Sequence, residues 1–249
     1  MALKKRLDMF LVDHGFFQTR SRARDAISRG TVYVDGVKID KAGYSISVES
    51  SISVEDPAQN YVSRAALKLL SGLEAFPIKT HNINALDLGI STGGFTQVLL
   101  EHGAAHIIGI DVGHDQLAPS LIGHPYLTLH EGLNARHLEA HHLDGKEIDL
   151  IVSDVSFISL KLALPPALSL VKKQAQAVLL VKPQFEVGRE NIGKGGLIKD
   201  PELGLKTAHV IKDWLDAQKG WHAIDMIKSP IEGGNGNEEY LLFGEYHHE

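Results

Sequence analysis

Residues 86–95 read LDLGISTGGF, and the fold turns on this stretch. The apolar run ending at Leu88 has the composition of a buried strand, and Phe95 opens a helical pattern. Between them Gly89 lets the chain turn tightly, and Gly93 and Gly94 let a ligand approach the backbone. Ser91 or Thr92 caps the helix. Outward from this loop lie seven apolar runs of strand length: HNINALDLG (81–89), HIIGIDVG (106–113), YLTLHEG (126–132), EIDLIVSD (147–154), QAVLLVKP (176–183), HAIDMIKS (222–229) and EEYLLFGE (238–245). Helical patterns between them are clearest at 96–102, 115–122, 160–174 and 203–219. This alternation predicts an α/β fold with a Rossmann-like, parallel, doubly wound sheet. Ligands bind such sheets outside the carboxyl ends of the strands.

The chain has 249 residues, 43% of them hydrophobic, with 24 glycines, as expected of a globular protein. No apolar run reaches the roughly 18 to 20 residues of a membrane span. The basic start MALKKRLDMFLVDHG is interrupted by Asp8 and Asp13, so it does not read as a secretory signal, and a cytoplasmic location is expected. Cysteine is absent, which removes disulfides, thiolate metal sites and cysteine nucleophiles. The histidine pairs His141-His142 and His247-His248 sit in polar stretches and read as solvated surface, so no metal is expected. Net charge is −6, but residues 1–41 hold nine Lys or Arg against five acids, which leaves −10 for the rest. A basic head on an acidic body suggests one small surface for a polyanion.

That head, residues 1–60, reads as a small α+β unit, with the second unit running over 61–249. Leu3, Leu7, Phe10 and Leu11 recur at helical spacing. A second helix starts near Thr19 or Ser21 with Ala23, Ala26 and Ile27 inward. TVYVDGVKID reads as a hairpin turning on Asp35-Gly36, and a further strand runs from Tyr44 to Val54. The polar stretch 57–64 reads as the linker. RLDMFLV and TRSRARDAISRGTVYVDGVKI resemble the small RNA-binding domain first known from a ribosomal small-subunit protein. The resemblance implies phosphate contacts from Arg6, Arg20, Arg22, Arg24 and Arg29; the alternative is an ordinary charged helix face.

Residues after the glycine loop bear on the cofactor. Asp111 ends the second strand, where an acid binds ribose hydroxyls in nicotinamide and S-adenosylmethionine enzymes alike. Ser91 stands where G-x-G-x-x-G has its middle glycine. Asp87 would repel a pyrophosphate but suits a loop around the amino-acid moiety of S-adenosylmethionine. The expected S-adenosyl-L-methionine site is therefore Asp87, Gly89, Ser91, Gly93, Gly94, Phe95 and Asp111, with Asn134 and Phe157 lining the same pocket.

Four polar residues stand where chemistry is expected. Asp154 and Lys182 each close an apolar strand, Lys68 lies in YVSRAALKL, and Glu239 precedes Tyr240. Lysines there can stabilise a developing alkoxide, which points to a hydroxyl acceptor. The sequence Asp154-Val155-Ser156-Phe157 is not the Asn/Asp-Pro-Pro-Tyr/Phe motif of base-amine methylation, and no cysteine exists for carbon methylation. The bland readings are a solvated Lys68 and an edge-strand Glu239.

The strings YVSRAALKL, LDLGISTGGFTQVLL, DVGHDQLA, DLIVSDVSFISL, LVKPQFEVGR and GLIKDPE resemble the TlyA (hemolysin A) family of ribosomal RNA 2′-O-methyltransferases, whose catalytic domain is FtsJ-like. The resemblance covers nearly the whole chain. It implies a class I methyltransferase with a catalytic tetrad of Lys68, Asp154, Lys182 and Glu239, acting on cytidines of 16S or 23S rRNA, with ribosomal subunits as partners and no membrane. Glu239 is preferred to Glu238 because the family's acid directly precedes the aromatic residue. Gln59-Asn60-Tyr61-Val62 departs from the Arg and Trp that some members carry there. Competing readings are a membrane-active hemolysin, a non-catalytic RNA-binding protein on a methyltransferase scaffold, and an NAD-dependent oxidoreductase.

Overall fold

The computed structural model describes residues 4–247, so Leu3 and His248 lie outside it. Two units separate, Met1–Asn60 and Tyr61–Glu249.

In the first unit the expected helix begins at Leu7, not before it. Lys4–Arg6 instead forms strand β1, paired antiparallel with β4 (Ser45–Ser47), and Leu7–Asp13 forms α1. Thr19 caps α2 (Arg20–Ser28), its hydroxyl accepting from the Arg22 N–H. Ala23, Ala26 and Ile27 of α2 pack against Leu7, Phe10 and Leu11 of α1 in one core. Strands β2 (Val32–Val34) and β3 (Val37–Lys38) turn on Asp35 and Gly36, with φ of 50° and 77°, the pair of left-handed residues that a tight hairpin needs. The single strand expected from Tyr44 to Val54 is two. The β4 segment stays with β1, whereas β5 (Ile52–Val54) joins β2 in a separate sheet. Ser47 causes the break: its carbonyl accepts from Ser50 N and its hydroxyl from Glu49 N, a local turn that competes with a ladder.

The second unit holds a seven-stranded sheet built from all seven apolar runs. In chain order they are β6 (Asn84–Leu88), β7 (His106–Ile110), β8 (Leu127–His130), β9 (Ile148–Ser153), β10 (Val171–Val181), β11 (Trp221–Lys228) and β12 (Tyr240–His247). Their order across the sheet is β11-β12-β10-β9-β6-β7-β8. The sheet is mixed rather than all parallel: β12 runs antiparallel to both β10 and β11. A loop without a crossover helix joins β11 to β12, and neighbours joined that way must reverse direction. This reversal brings the start of β12 to the carboxyl edge of the parallel strands.

Successive strand residues face opposite sides, so the sheet carries two cores. Leu86, Leu88, Ile108 and Ile151 pack with α5 (Leu160–Ala163), α6 (Pro165–Ser169) and α7 (Pro201–Asp216). Ala85, Ile107, Leu150 and Val152 pack with α3 (Ala66–Ala75) and α4 (Gly94–Glu101).

Two helix expectations fail. Residues 115–122 form turns: Asp115 has φ of 56° and Pro119 lacks a donor, while Leu117 and Leu121 still bury themselves against Ile90. The helix expected over 160–174 breaks at Pro165-Pro166 and stops at Ser169, because Val171 already pairs with Ile148 of β9.

Candidate active site

The glycine loop joins β6 to α4 at the carboxyl edge of the sheet. Gly89 has φ of 80°, and a Cβ there would stand 3.0 Å from the Val155 Cα, so the two strand-end loops touch backbone to backbone. Ser91 adopts φ of 47°, a left-handed conformation that a glycine would take without cost. It is held by Asp111, whose Oδ2 accepts from the Ser91 N–H at 2.8 Å while Oδ1 accepts from the Gly113 N–H at 2.8 Å. One carboxylate thus ties the loops after β6 and β7 together. It keeps unused lone pairs toward the cleft.

Asp87 is 1% exposed. Its Oδ2 accepts from the Thr96 hydroxyl at 2.7 Å, and its Oδ1 is buried without a partner. Burial pushes the carboxyl up to about 7, with the neighbouring Asp154 and Asp111 charges adding to the rise and the Thr96 bonds opposing it.

Two cavities meet here. One is lined by Ser63, Asp87, Gly94, Phe95 and Lys182 among others; the second, about 920 Å³, runs past Asp111, Asn134, Phe157 and Phe185. Gly89, Ser91, Asp154 and Ser156 belong to both. The second is large enough for a nucleoside. Gly93 lies behind them, where its φ of 92° starts α4 and a side chain would run into Leu121. Asn134 caps a short 3-10 turn, accepting from Arg136 N. Phe157 is 90% exposed at φ of 64°, with its ring 5.0 Å from that of Phe185.

The four tetrad candidates form two ion pairs. Lys182 Nζ stands 2.6 Å from Asp154 Oδ1, and donates to the Asp154 carbonyl at 3.1 Å and to Ser156 Oγ at 2.6 Å. Lys68 Nζ donates to Glu239 Oε2 at 2.6 Å, with both side chains buried. The pairs are neighbours through the sheet, because Val181 pairs with Tyr240, and Lys182 and Glu239 are the next residues out. Gln184 Nε2, 3.4 Å from Glu239 Oε1, spans between the two loops. Lys182 and Asp154 line the first cavity, whereas Lys68 and Glu239 line neither.

Sequence reasoning missed three supports of this site. Ser156 bonds Lys182; Thr96 bonds Asp87; and Glu186 accepts from Ser159 Oγ at 2.6 Å and Leu160 N at 2.7 Å, anchoring the Asp154 loop to the Lys182 loop. Ser156 and Glu186 lie a few residues beyond the strand-closing charges, and that proximity was the available signal.

In the first unit the arginines differ in kind. Asp8, fully buried, accepts from Arg6 and Arg20, which hold its carboxyl down at about 2. Arg29 binds Asp56 at 2.7 and 2.8 Å and Asp25 at 3.0 Å. Arg22 donates to the carbonyls of Ala58 and Gln59. Arg20 and Arg24 line a groove with Ser21, Asp25, Ser28 and Asp40.

Residues 61–246 match the FtsJ-like methyltransferase family, and residues 5–52 match the S4 domain. The 16S/23S rRNA (cytidine-2′-O)-methyltransferase TlyA of Mycobacterium tuberculosis is 41% identical over 98% of this chain and 90% of its own. The 23S rRNA (cytidine-2′-O)-methyltransferase TlyA of Campylobacter jejuni is 37% identical over 92% and 82%. A solved structure from Streptococcus thermophilus that carries the hemolysin name superposes with a TM-score of 0.76 at 34% identity, covering 99% of this chain and 90% of that one.

Proposed function

The chain belongs to the TlyA family of FtsJ-like methyltransferases, and on that premise we propose that it methylates the 2′-hydroxyl of cytidine in ribosomal RNA from S-adenosyl-L-methionine. The observation that carries the reading is the Lys182–Asp154 pair at the junction of two cavities, beside a loop shaped to receive a cofactor. The sulfonium supplies an electrophilic methyl group, and in-line transfer mainly requires positioning. Asp111 would take the ribose hydroxyls, with Asn134 and Phe157 along the adenosine-sized cleft. The orphaned oxygen of Asp87, a residue that lines the first cavity, would accept from an ammonium such as that of the methionine moiety. Lys182 would stabilise the acceptor oxygen as it loses its proton, and Lys68 with Glu239 would brace the neighbouring strand end. The S4 domain at 5–52 would bind rRNA phosphates, Arg20 and Arg24 first.

Among the described residues no helix is long and apolar enough to cross a membrane, so the hemolysin label finds no helical span to act through. The deciding experiment incubates the pure protein with unmodified 30S and 50S subunits and S-adenosylmethionine, then maps ribose methylation. A 2′-O-methylcytidine in either subunit is expected; none in either overturns the reading.

A further inference from the structure

Lys182 Nζ lies within 3.1 Å of three oxygens, and all three come from residues 154–156: the Asp154 carbonyl, Asp154 Oδ1 and Ser156 Oγ. An ammonium has three N–H donors. Two of them are committed, to the Asp154 carbonyl and to Ser156 Oγ, while Asp154 Oδ1 stands in ion-pair range without a hydrogen bond. An acceptor oxygen in the cleft therefore meets either the third N–H or a group that the ammonium already holds. The carbonyl and the carboxylate carry no hydrogen to pass on. Ser156 does. Its Oγ accepts from Lys182, and its own hydrogen has no acceptor among the described residues. It is also exposed to the cleft and lines both cavities, where a cofactor's reacting end and an acceptor would meet.

We propose that Ser156 is a further catalytic residue, whose hydroxyl donates to the acceptor 2′-oxygen while Lys182 polarises it from behind. This rests on the methyl-transfer reading above. In the balanced step the acceptor oxygen forms its bond to the methyl carbon as the carbon–sulfur bond breaks, the electron pair staying on sulfur. The acceptor proton passes to a water, which leaves as hydronium. Ser156 gives up no proton. Its hydrogen bond strengthens as the oxygen becomes anionic, and the ammonium behind it strengthens it further.

The test is a double-variant cycle on Ser156→Ala and Lys182→Ala, assayed on ribosomal subunits, with S-adenosylhomocysteine affinity measured by calorimetry on each protein. Ser156→Ala should lower kcat by about 10²-fold, the scale of losing one donor to a developing oxyanion. Its S-adenosylhomocysteine affinity should match that of the wild type. Adding Lys182→Ala to it should cost only a few-fold more, because the route is already cut, and Ser156→Thr should recover much of the rate. Independent of turnover, the wild type should bind an rRNA fragment with a 2′-hydroxyl at the target several-fold more tightly than its 2′-deoxy counterpart, and Ser156→Ala should lose that preference. Full activity in Ser156→Ala, losses that multiply in the double variant, or an effect confined to cofactor affinity would overturn the proposal while leaving the methyltransferase reading intact. A wild type that methylates no ribose would take both down.

Discussion

Lys68 Nζ and Glu239 Oε2 lie 2.6 Å apart with 7% and 3% of their side chains exposed, so each is the other's substitute for water. Breaking such a pair strands a buried charge, at a cost of roughly 3 to 5 kcal/mol, whereas replacing both partners with apolar residues is often neutral. Glu239→Ala should therefore lower stability by that amount in urea unfolding. Lys68→Met with Glu239→Leu should recover most of the stability. If the pair also serves the chemistry, the double variant will be stable and still slow. A stable, fully active double variant would reduce the pair to packing.

Lys182 should behave differently. It reaches the cleft, and its interaction strengthens as the acceptor becomes anionic, so it acts on the transition state more than on binding. Lys182→Ala should cut turnover by about 10² or more, with cofactor affinity little changed. Lys182→Arg should not rescue, because a planar guanidinium cannot fit its donors to the Asp154 carbonyl and Ser156 Oγ as the ammonium does. Near-wild-type methylation by either variant, measured on subunits, would remove Lys182 from the mechanism.

What could be read without coordinates was what local pattern dictates. Each strand of the large sheet is an apolar run, the five inner ones buried on both faces and the edge strands β8 and β11 only in part, so all seven were legible, and so were the charges that close β9 and β10. The antiparallel course of β12 was not, because direction depends on which neighbour a strand finds. Residues 115–122 carry a helical apolar pattern in Leu117 and Leu121, yet those side chains are buried under the Ile90 loop with no helix at all. The Asp87–Thr96 bond and the Glu186 anchor join segments that only the fold brings together. Likewise the arginine cluster read as one surface, while the structure commits Arg29 to two carboxylates.

Asp111 holds two backbone N–H groups and faces the larger cleft, so its loss should both disorder the glycine loop and remove the ribose partner. Asp111→Ala should weaken S-adenosylmethionine binding by at least the roughly 1.5 to 3 kcal/mol of hydrogen bonds to a charged group. Asp111→Asn should recover little, since its amide meets one of the two N–H groups donor to donor. Unchanged affinity by calorimetry would move the ribose elsewhere.

The arginines should divide by role. Arg24→Ala and Arg20→Ala should weaken rRNA binding and flatten its salt dependence, by a log–log slope of about 0.7 to 0.9 per lost phosphate contact. Arg29→Ala leaves Asp56, whose side chain is 2% exposed, without its bidentate partner, and should lower the stability of the S4 domain instead. Salt slopes in the Arg20 and Arg24 variants equal to that of the wild type would mean that neither residue meets a phosphate.

Asp87 ties stability and cofactor binding to pH. In the folded chain its carboxyl is pushed up to about 7, against about 3.9 for an unfolded aspartate. Between those values the folded state holds a proton that the unfolded state has lost. The stability this adds is therefore full below about pH 4 and declines as pH rises to about 7, at up to about 1.4 kcal/mol per pH unit. Asp87→Asn is neutral throughout and should lack that decline. Urea unfolding of both proteins at pH 5, 6, 7 and 8 without cofactor should show the wild type losing stability relative to Asp87→Asn as pH rises to about 7, then levelling. The unpartnered Oδ1 sets the second half of the test. A cofactor ammonium placed against it favours the ionised carboxylate, so binding near pH 6 should release a proton from the wild type and none from Asp87→Asn. Calorimetry in buffers of different ionisation enthalpy reads that proton directly. Parallel stability curves together with no proton release would show that Asp87 is ionised before any ligand arrives, with a partner other than the cofactor.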